Sequence, residues 1–218
     1  MKTAVVLLSS GLDSTVNLYG AHKKFKVLKV LTFNYGQRAA EKEIEQSQKI
    51  CAALGVSHQV IELPWLAQWT STALVRREAI VPQGWSVQID NKEQSLETAK
   101  AVWVPNRNGI FLNIAAALAE SLKADYVIPG FNKEEATTFP DNTGDFLKAL
   151  DHSFSFSTAT QVKTHCFTTD LTKTEIVRLG REWNVPFELM WPCYFSGPKI
   201  CGECESCQRF LRATKVSS

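Results

Sequence analysis

The chain opens on a short apolar run, Ala4–Leu8, too brief and too rich in β-branched residues for a helix, which predicts a buried strand. From there strand-length apolar runs alternate with stretches of helical period. A helix is predicted from Ser14 to about Lys23, a strand over Val27–Phe33, and a long helix from Gln37 to Leu54. In that helix Ala40, Ile44, Ser47, Cys51 and Leu54 share one face, which puts Cys51 in the core, and Gly55 is the expected stop. His58–Leu63 reads as a third strand. Pro64 then begins a stretch holding Trp65, Trp69 and, later, Trp85, and Ile80–Ala99 has no steady period and reads as an irregular, lid-like segment. The strongest amphipathic pattern follows V-W-V-P-N-R-N, with Ile110, Phe111, Ile114, Ala115, Leu118, Ala119 and Leu122 on one face. Asp125–Pro129 and Val162–Phe167 complete the strands, and helices are expected around Gly144–Phe154 and Thr172–Asn184.

Strand, helix and strand at such spacing form a βαβ unit with parallel strands. The pattern as a whole predicts an α/β, doubly wound, mainly parallel five-stranded sheet. It occupies residues 1–191, with 192–218 as a small metal-binding segment packed on the same domain.

Composition narrows the class. The chain is 44% hydrophobic and 21% charged, which suits a folded core and excludes a disordered chain. With 24 basic against 22 acidic residues the net charge is +2, which weighs against a nucleic-acid partner. No apolar run reaches the ~18 residues of a membrane span, and the first run is shorter than a signal-peptide core. A cytoplasmic protein is expected.

Two local patterns suggest chemistry. The first strand runs into Ser9-Ser10-Gly11-Leu12-Asp13-Ser14 and then a helix, a turn that presents backbone N–H groups to an anion, most often a phosphate. An ordinary strand-to-helix turn with Ser and Asp caps reads the same way. Neither a Walker A nor a G-x-G-x-x-G pattern is present. The nucleotide contact is expected to span Leu8, Ser9, Ser10, Gly11, Leu12, Asp13, Ser14, Thr15, Val16, Asn17 and Leu18. Further on, Thr172 and Glu175 make a capping-box pattern that places Lys173 at the first helical position, the unfavourable end of the helix dipole. Something negative should lie beside it, and a nucleotide phosphate would serve; a solvated lysine is the plainer reading.

Six cysteines are present, and Cys193, Cys201, Cys204 and Cys207 follow C-x7-C-x2-C-x2-C. In a reducing compartment this spacing reads as a metal site. Four thiolates close a tetrahedral shell and leave no position for water, so a structural zinc is expected, with iron–sulfur ligation as the rival.

The turn resembles the S-G-G-x-D-S loop of the PP-loop, or N-type, ATP pyrophosphatases, with Ser10 in place of the first glycine, tolerable if its φ is negative. Together with N-Y-G-Q-R at 34–38, V-P-N-R-N at 104–108, Pro140-Asp141, L-T-K-T-E at 171–175 and C-G-E-C-E-S-C at 201–207, it resembles the QueC family over nearly the whole chain. The resemblance implies a C–N bond-forming ligase that uses ATP and Mg²⁺ to convert 7-carboxy-7-deazaguanine and ammonia to the nitrile preQ0, for queuosine, and a homodimer. It implies catalytic roles for Asp13 and Lys173. Arg38 and Arg107 become candidates for the triphosphate or the substrate carboxylate, though either reads equally as a helix-end ion pair. After the fourth strand, Gly130, Asn132, Pro140 and Asp141 match the family loop. Glu135 stands where an aspartate is usual, able to read a purine-like edge through paired acceptors, and Asn142-Thr143 replaces Cys-Arg. Two rivals share these motifs: a paralogue adenylating a nucleic-acid-borne deazapurine or a protein terminus, and a zinc-stabilised nucleotide-binding module without catalysis. Asp13 and Lys173 argue against the second.

Overall fold

In the computed structural model, which describes residues 1–216, five strands form one sheet in the order β3-β2-β1-β4-β5. They are β1 (Thr3–Leu7), β2 (Lys26–Asn34), β3 (His58–Glu62), β4 (Tyr126–Ile128) and β5 (Lys163–Thr164), and every pairing is parallel. The expected sheet is present. Its last strand is shorter than the predicted Val162–Phe167, because only Lys163 and Thr164 pair with β4.

The pleat of β1 divides the core. Val5 points to the layer of α5 (Arg107–Ser121) and α6 (Gly144–Ser157), while Ala4 and Val6 point to α1 (Leu12–Lys24) and α2 (Ala40–Leu54). Cys51 is buried in the second layer, as its helical spacing predicts. Helix α5 is rotated slightly from its predicted face. Leu112 and Ala116 join Ala115 and Ala119 in the core, whereas Leu122 is 38% exposed just past the helix end.

The segment 80–99 is more regular than its sequence pattern predicts. After the short α3 (Pro64–Gln68) and a 3₁₀ turn at Gly84–Ser86, α4 (Lys92–Val102) is capped by Asn91, whose side chain accepts from the Gln94 amide at 3.2 Å. Its Ser95, Thr98 and Ala99 are buried, and the Gly84 amide bonds the Glu203 carbonyl at 3.1 Å. Polar residues on its inner face masked the helical period. The chain closes with α7 (Lys173–Glu182) and α8 (Glu205–Val216), which pack together. Residues 217 and 218 of the segment 192–218 lie outside the described residues.

Strand order reverses at β1, which lies between β2 and β4, so a crevice opens beyond the carboxyl ends of β1 and β4. Gly130, after β4, lies against the start of α1. A Cβ there would stand 2.5 Å from the Ser14 nitrogen and 2.6 Å from its Cα, so only glycine permits the approach.

Candidate active site

Leu8, Ser9, Gly11, Leu12, Asp13 and Ser14 line a cavity in that crevice. Helix α1 starts at Leu12, two residues before the predicted Ser14, which brings Asp13 and Ser14 into its first turn. The Ser9 amide donates to Ser14 Oγ at 3.2 Å, and Ser14 Oγ donates to the Gly11 carbonyl at 3.3 Å. The expected nucleotide stretch divides into residues that line the cavity and residues that lie behind it. Ser10, Thr15, Val16, Asn17 and Leu18 are buried and do not line the cavity, because the inner faces of the turn and helix belong to the core. Asn17 instead donates to Thr168 Oγ1 at 2.6 Å and accepts from the Phe167 amide at 2.8 Å, tying α1 to the chain after β5.

Ser10 also departs from expectation. Its φ is +55°, the left-handed region in which a side chain costs about 1–2 kcal/mol. The turn needs that conformation, in which the Ser10 carbonyl accepts from the Trp191 amide at 2.8 Å and its hydroxyl donates to the Ser9 carbonyl at 2.6 Å.

Lys173 begins α7, and Thr172 and Glu175 form the predicted capping box. Its ammonium is buried and meets carboxylates, with Asp13 Oδ2 at 2.5 Å and Glu135 Oε1 at 2.7 Å. Burial alone would lower the Lys173 ammonium, but the two anions outweigh it and raise it. Burial pushes the Asp13 carboxyl up to about 6 against the pull of Lys173. For Glu135 the same burial is outweighed by Lys173, which holds it below the usual range. Asp13 Oδ2 also accepts from Asn132 Nδ2 at 3.2 Å, while Oδ1 is buried with no hydrogen-bond partner. Glu134 Oε1 accepts the Lys173 amide at 2.8 Å, and its Oε2 takes Arg209 at 3.1 Å and Arg212 at 2.7 Å.

The other end of the cavity is aromatic. Phe33 and Phe111 stack with centroids 4.1 Å apart at 3°, and Trp103 and Phe139 lie parallel within 5° at 6.0 Å. Arg107 lines this end and donates to Tyr35 Oη at 3.3 Å. Asp141 lines it too, its carboxyl raised by burial against the pull of Arg107.

Arg38 lies outside the cavity lining. Its guanidinium donates to the carbonyls of Ala73 (2.7 Å), Arg76 (2.6 Å), Arg77 (3.1 Å) and Ala79 (2.6 Å). Its Nε and Nη2 are thus held by backbone carbonyls, and it makes no ion pair among the described residues, which favours a structural role. Arg38→Met is expected to lower stability by about 1–3 kcal/mol in urea unfolding, with the substrate KM unchanged; a raised KM in a stably folded variant would return Arg38 to the site.

Glu43 is a site residue that the sequence did not single out. It lines the cavity from the first turn of α2, and Oε2 accepts from Gln37 Nε2 at 2.8 Å. Burial pushes its carboxyl from 4.5 up to about 7, against Gln37 and Arg107, which pull it down. Between those two values the folded state keeps a proton that the unfolded chain has released, so stability falls as pH rises across that window. Glu43→Gln should therefore match the parent near pH 4 and exceed it by roughly 1–3 kcal/mol near pH 8. Urea unfolding at the two pH values checks this, and an equal difference at both would contradict it.

The four cysteine sulfurs lie within 4.8 Å of one another, with Cys193, Cys204 and Cys207 buried. Amides of Phe195 and Cys201 donate to Cys193 Sγ, each at 3.4 Å, and the Cys204 amide donates to Cys201 Sγ at 3.3 Å. Gly202, at φ +78°, folds the knuckle. Such a cluster suits one metal ion in a closed sulfur shell. Helix α8 leaves it directly and carries Ser206, Arg209 and Phe210 into the cavity wall. These were not foreseen either, although Glu205 and Arg209 stand at i and i+4 and pair at 2.8 Å.

Among solved structures, NMN synthetase from Francisella tularensis aligns over 98% of this chain and 84% of its own at 13% identity and a TM-score of 0.46, a likeness too loose to carry a function. The sequence comparisons are much stronger. The 7-cyano-7-deazaguanine synthase of Bdellovibrio bacteriovorus is 58% identical over 213 residues, covering 97% of this chain and 92% of its own. That of Carboxydothermus hydrogenoformans is 49% identical over 213 residues, 98% of each chain. The protein-family profile described as Queuosine biosynthesis protein QueC matches residues 3–217, and the chain belongs to the QueC family.

Proposed function

We propose that this chain converts 7-carboxy-7-deazaguanine and ammonia into 7-cyano-7-deazaguanine with ATP, as its curated relatives are named for doing with that product. The observation that carries the reading is the two-ended cavity, with the Ser9–Ser14 turn and the Lys173–Asp13 pair at one end and Arg107 beside stacked aromatics at the other.

A carboxylate is a poor electrophile. Attack of its oxygen on the α-phosphorus of ATP gives an acyl adenylate and pyrophosphate, and ammonia then displaces AMP to leave the amide. Attack of the amide oxygen on a second ATP converts that oxygen into a leaving group, and loss of AMP and protons yields the nitrile. Charge builds on departing pyrophosphate in both activations. Ser9, Gly11 and Ser14, the amino end of α1 and the Lys173 ammonium serve that charge. Asp13 Oδ1, buried and unpartnered, fits a hard cation, and Mg²⁺ held there would neutralise phosphate charge.

Arg107 serves the substrate. Apart from Tyr35, its fork has no hydrogen-bond partner among the described residues, and it can reach the carboxylate and the ring carbonyl beside it. Asp141 holds Arg107 by charge. Glu135 serves as the partner of Lys173 rather than as a reader of the purine edge. The cysteines hold a structural zinc, which makes the described part of the C-terminal segment, 192–216, a metal-braced wall of the catalytic domain. Cytoplasmic residence and a homodimer complete the reading; among the described residues no helix is long and apolar enough to cross a membrane.

The test is incubation with ATP, Mg²⁺, ammonia and 7-carboxy-7-deazaguanine, followed by mass spectrometry. The nitrile with two AMP per nitrile is expected. AMP without nitrile would point to another acceptor, and neither product would overturn the reading.

A further inference from the structure

At the aromatic end of the cavity two charged groups are each only partly used. Arg107 keeps free donors, and Glu43 keeps a free acceptor. Glu43 Oε2 is held by Gln37, and Gln37 is itself buried and tied down on both sides. Its Nε2 also donates to the Phe33 carbonyl at 2.9 Å, and its Oε1 accepts the Tyr35 amide at 2.9 Å. A saturated amide of this kind sets the rotamer of the carboxylate and cannot swing away from it. Glu43 Oε1 has no hydrogen bond among the described residues. It belongs to a residue lining the same cavity as Arg107, Tyr35 and Phe111.

We infer that Glu43 selects the heterocycle, its carboxylate accepting from the ring N1–H and the 2-amino group of a guanine-type base. The inference deepens the proposed reaction and rests on it for the identity of the base. Along one edge of such a base stand, in order, the 7-substituent, the ring carbonyl, N1–H and the 2-amino group. A guanidinium fork suits the first two and a carboxylate suits the last two, and the cavity supplies one of each next to an aromatic stack. The carboxylates at the phosphate end are less suited. Glu135 already engages Lys173 at 2.7 Å and Asn142 at 3.4 Å, and Asp13 Oδ2 engages the same lysine and Asn132. Glu205 also lines the cavity but spends its oxygens on Arg209 and Thr98, which leaves Asp141, beside Arg107 and without the clamp that Gln37 gives Glu43, as the remaining competitor. Two ring donors favour the charged carboxylate that burial alone disfavours, and a ligand lacking the 2-amino group leaves one acceptor unpaired in the complex and should be rejected for it.

The test compares calorimetric binding of 7-carboxy-7-deazaguanine with that of its analogue lacking the 2-amino group, a readout independent of turnover. The wild type is expected to bind the analogue about 10–100-fold more weakly. In Glu43→Gln, whose amide places a donor against the ring donors, that ratio should fall to within about threefold while ATP affinity stays put. Equal binding of the two bases by the wild type overturns the inference without any variant. So does a ratio kept in Glu43→Gln, or one lost instead in Asp141→Asn. Nitrile formation by the wild type is scored separately, so failure of the reaction and failure of the selectivity are told apart.

Discussion

Lys173→Met is expected to lower turnover by about 10²–10³-fold, the usual effect of removing one preorganised group from a developing charge. Lys173 is 6% exposed and its ammonium is fixed by two carboxylates, so no reorganisation is needed when the pyrophosphate leaves. The same variant carries a second signature. Without Lys173, Asp13 and Glu135 are two buried anions with no cation between them, and a broken buried pair costs about 3–5 kcal/mol. Asp13 then rises further and Glu135 loses the main influence that holds it low, since Lys173 is the chief cation lowering each. A carboxyl raised in the fold costs stability as pH rises through its folded value. The deficit should therefore be greatest near pH 8 and shrink toward pH 5, where both groups take up protons. Rates are to be compared near pH 6 with folding confirmed by circular dichroism. A folded variant turning over at the parent rate would remove Lys173 from the mechanism, and a pH-independent deficit would contradict the account of the cluster.

The features legible in the sequence were those decided within a few residues. Thr172 and Glu175 announced a capping box, and the capping box placed Lys173; the cysteine spacing announced its cluster; β-branched runs announced the strands. The requirement for something negative beside Lys173 was also legible, although its present partners are Asp13 and Glu135 rather than a phosphate. What stayed hidden depended on contacts made across the fold. Arg38 and Arg107 look alike in sequence, and only the carbonyls of Ala73, Arg76, Arg77 and Ala79 separate them. Glu43 reads as an ordinary acidic residue in a first turn until the end of β2 brings Phe33 onto Phe111 beside it. The sign of φ at Ser10 is set by the chain around it, including Trp191, which its carbonyl reaches. In α8 the cysteines obscured an amphipathic helix, whose Cys207, Arg209 and Ala213 are buried.

Cys204→Ser should have the largest effect on the fold itself. Cys204 is fully buried, its sulfur shares the cluster, and α8 begins at the next residue. Structural zinc sites supply folding free energy directly, about 10–16 kcal/mol in small peptides, so loss of one of four ligands is expected to cost more than about 5 kcal/mol here. The consequence reaches the catalytic cavity by a short route. Arg209 and Arg212 of α8 hold Glu134, and Glu134 accepts the amide of Lys173. A loosened α8 thus releases the amino end of α7 together with the wall formed by Ser206, Arg209 and Phe210. Amide exchange should accelerate in α8 and in the first turn of α7, while α5 and α6 on the opposite face of the sheet remain protected. A chelator acting on the parent protein should reproduce the pattern. Metal analysis is expected to give one zinc per chain, absent from the variant, and iron–sulfur absorbance in the purified parent would replace zinc in this account. If Cys204→Ser retained the metal and the melting temperature of the parent, the cluster would not brace the site, and the link from α8 through Glu134 to Lys173 would lose its basis.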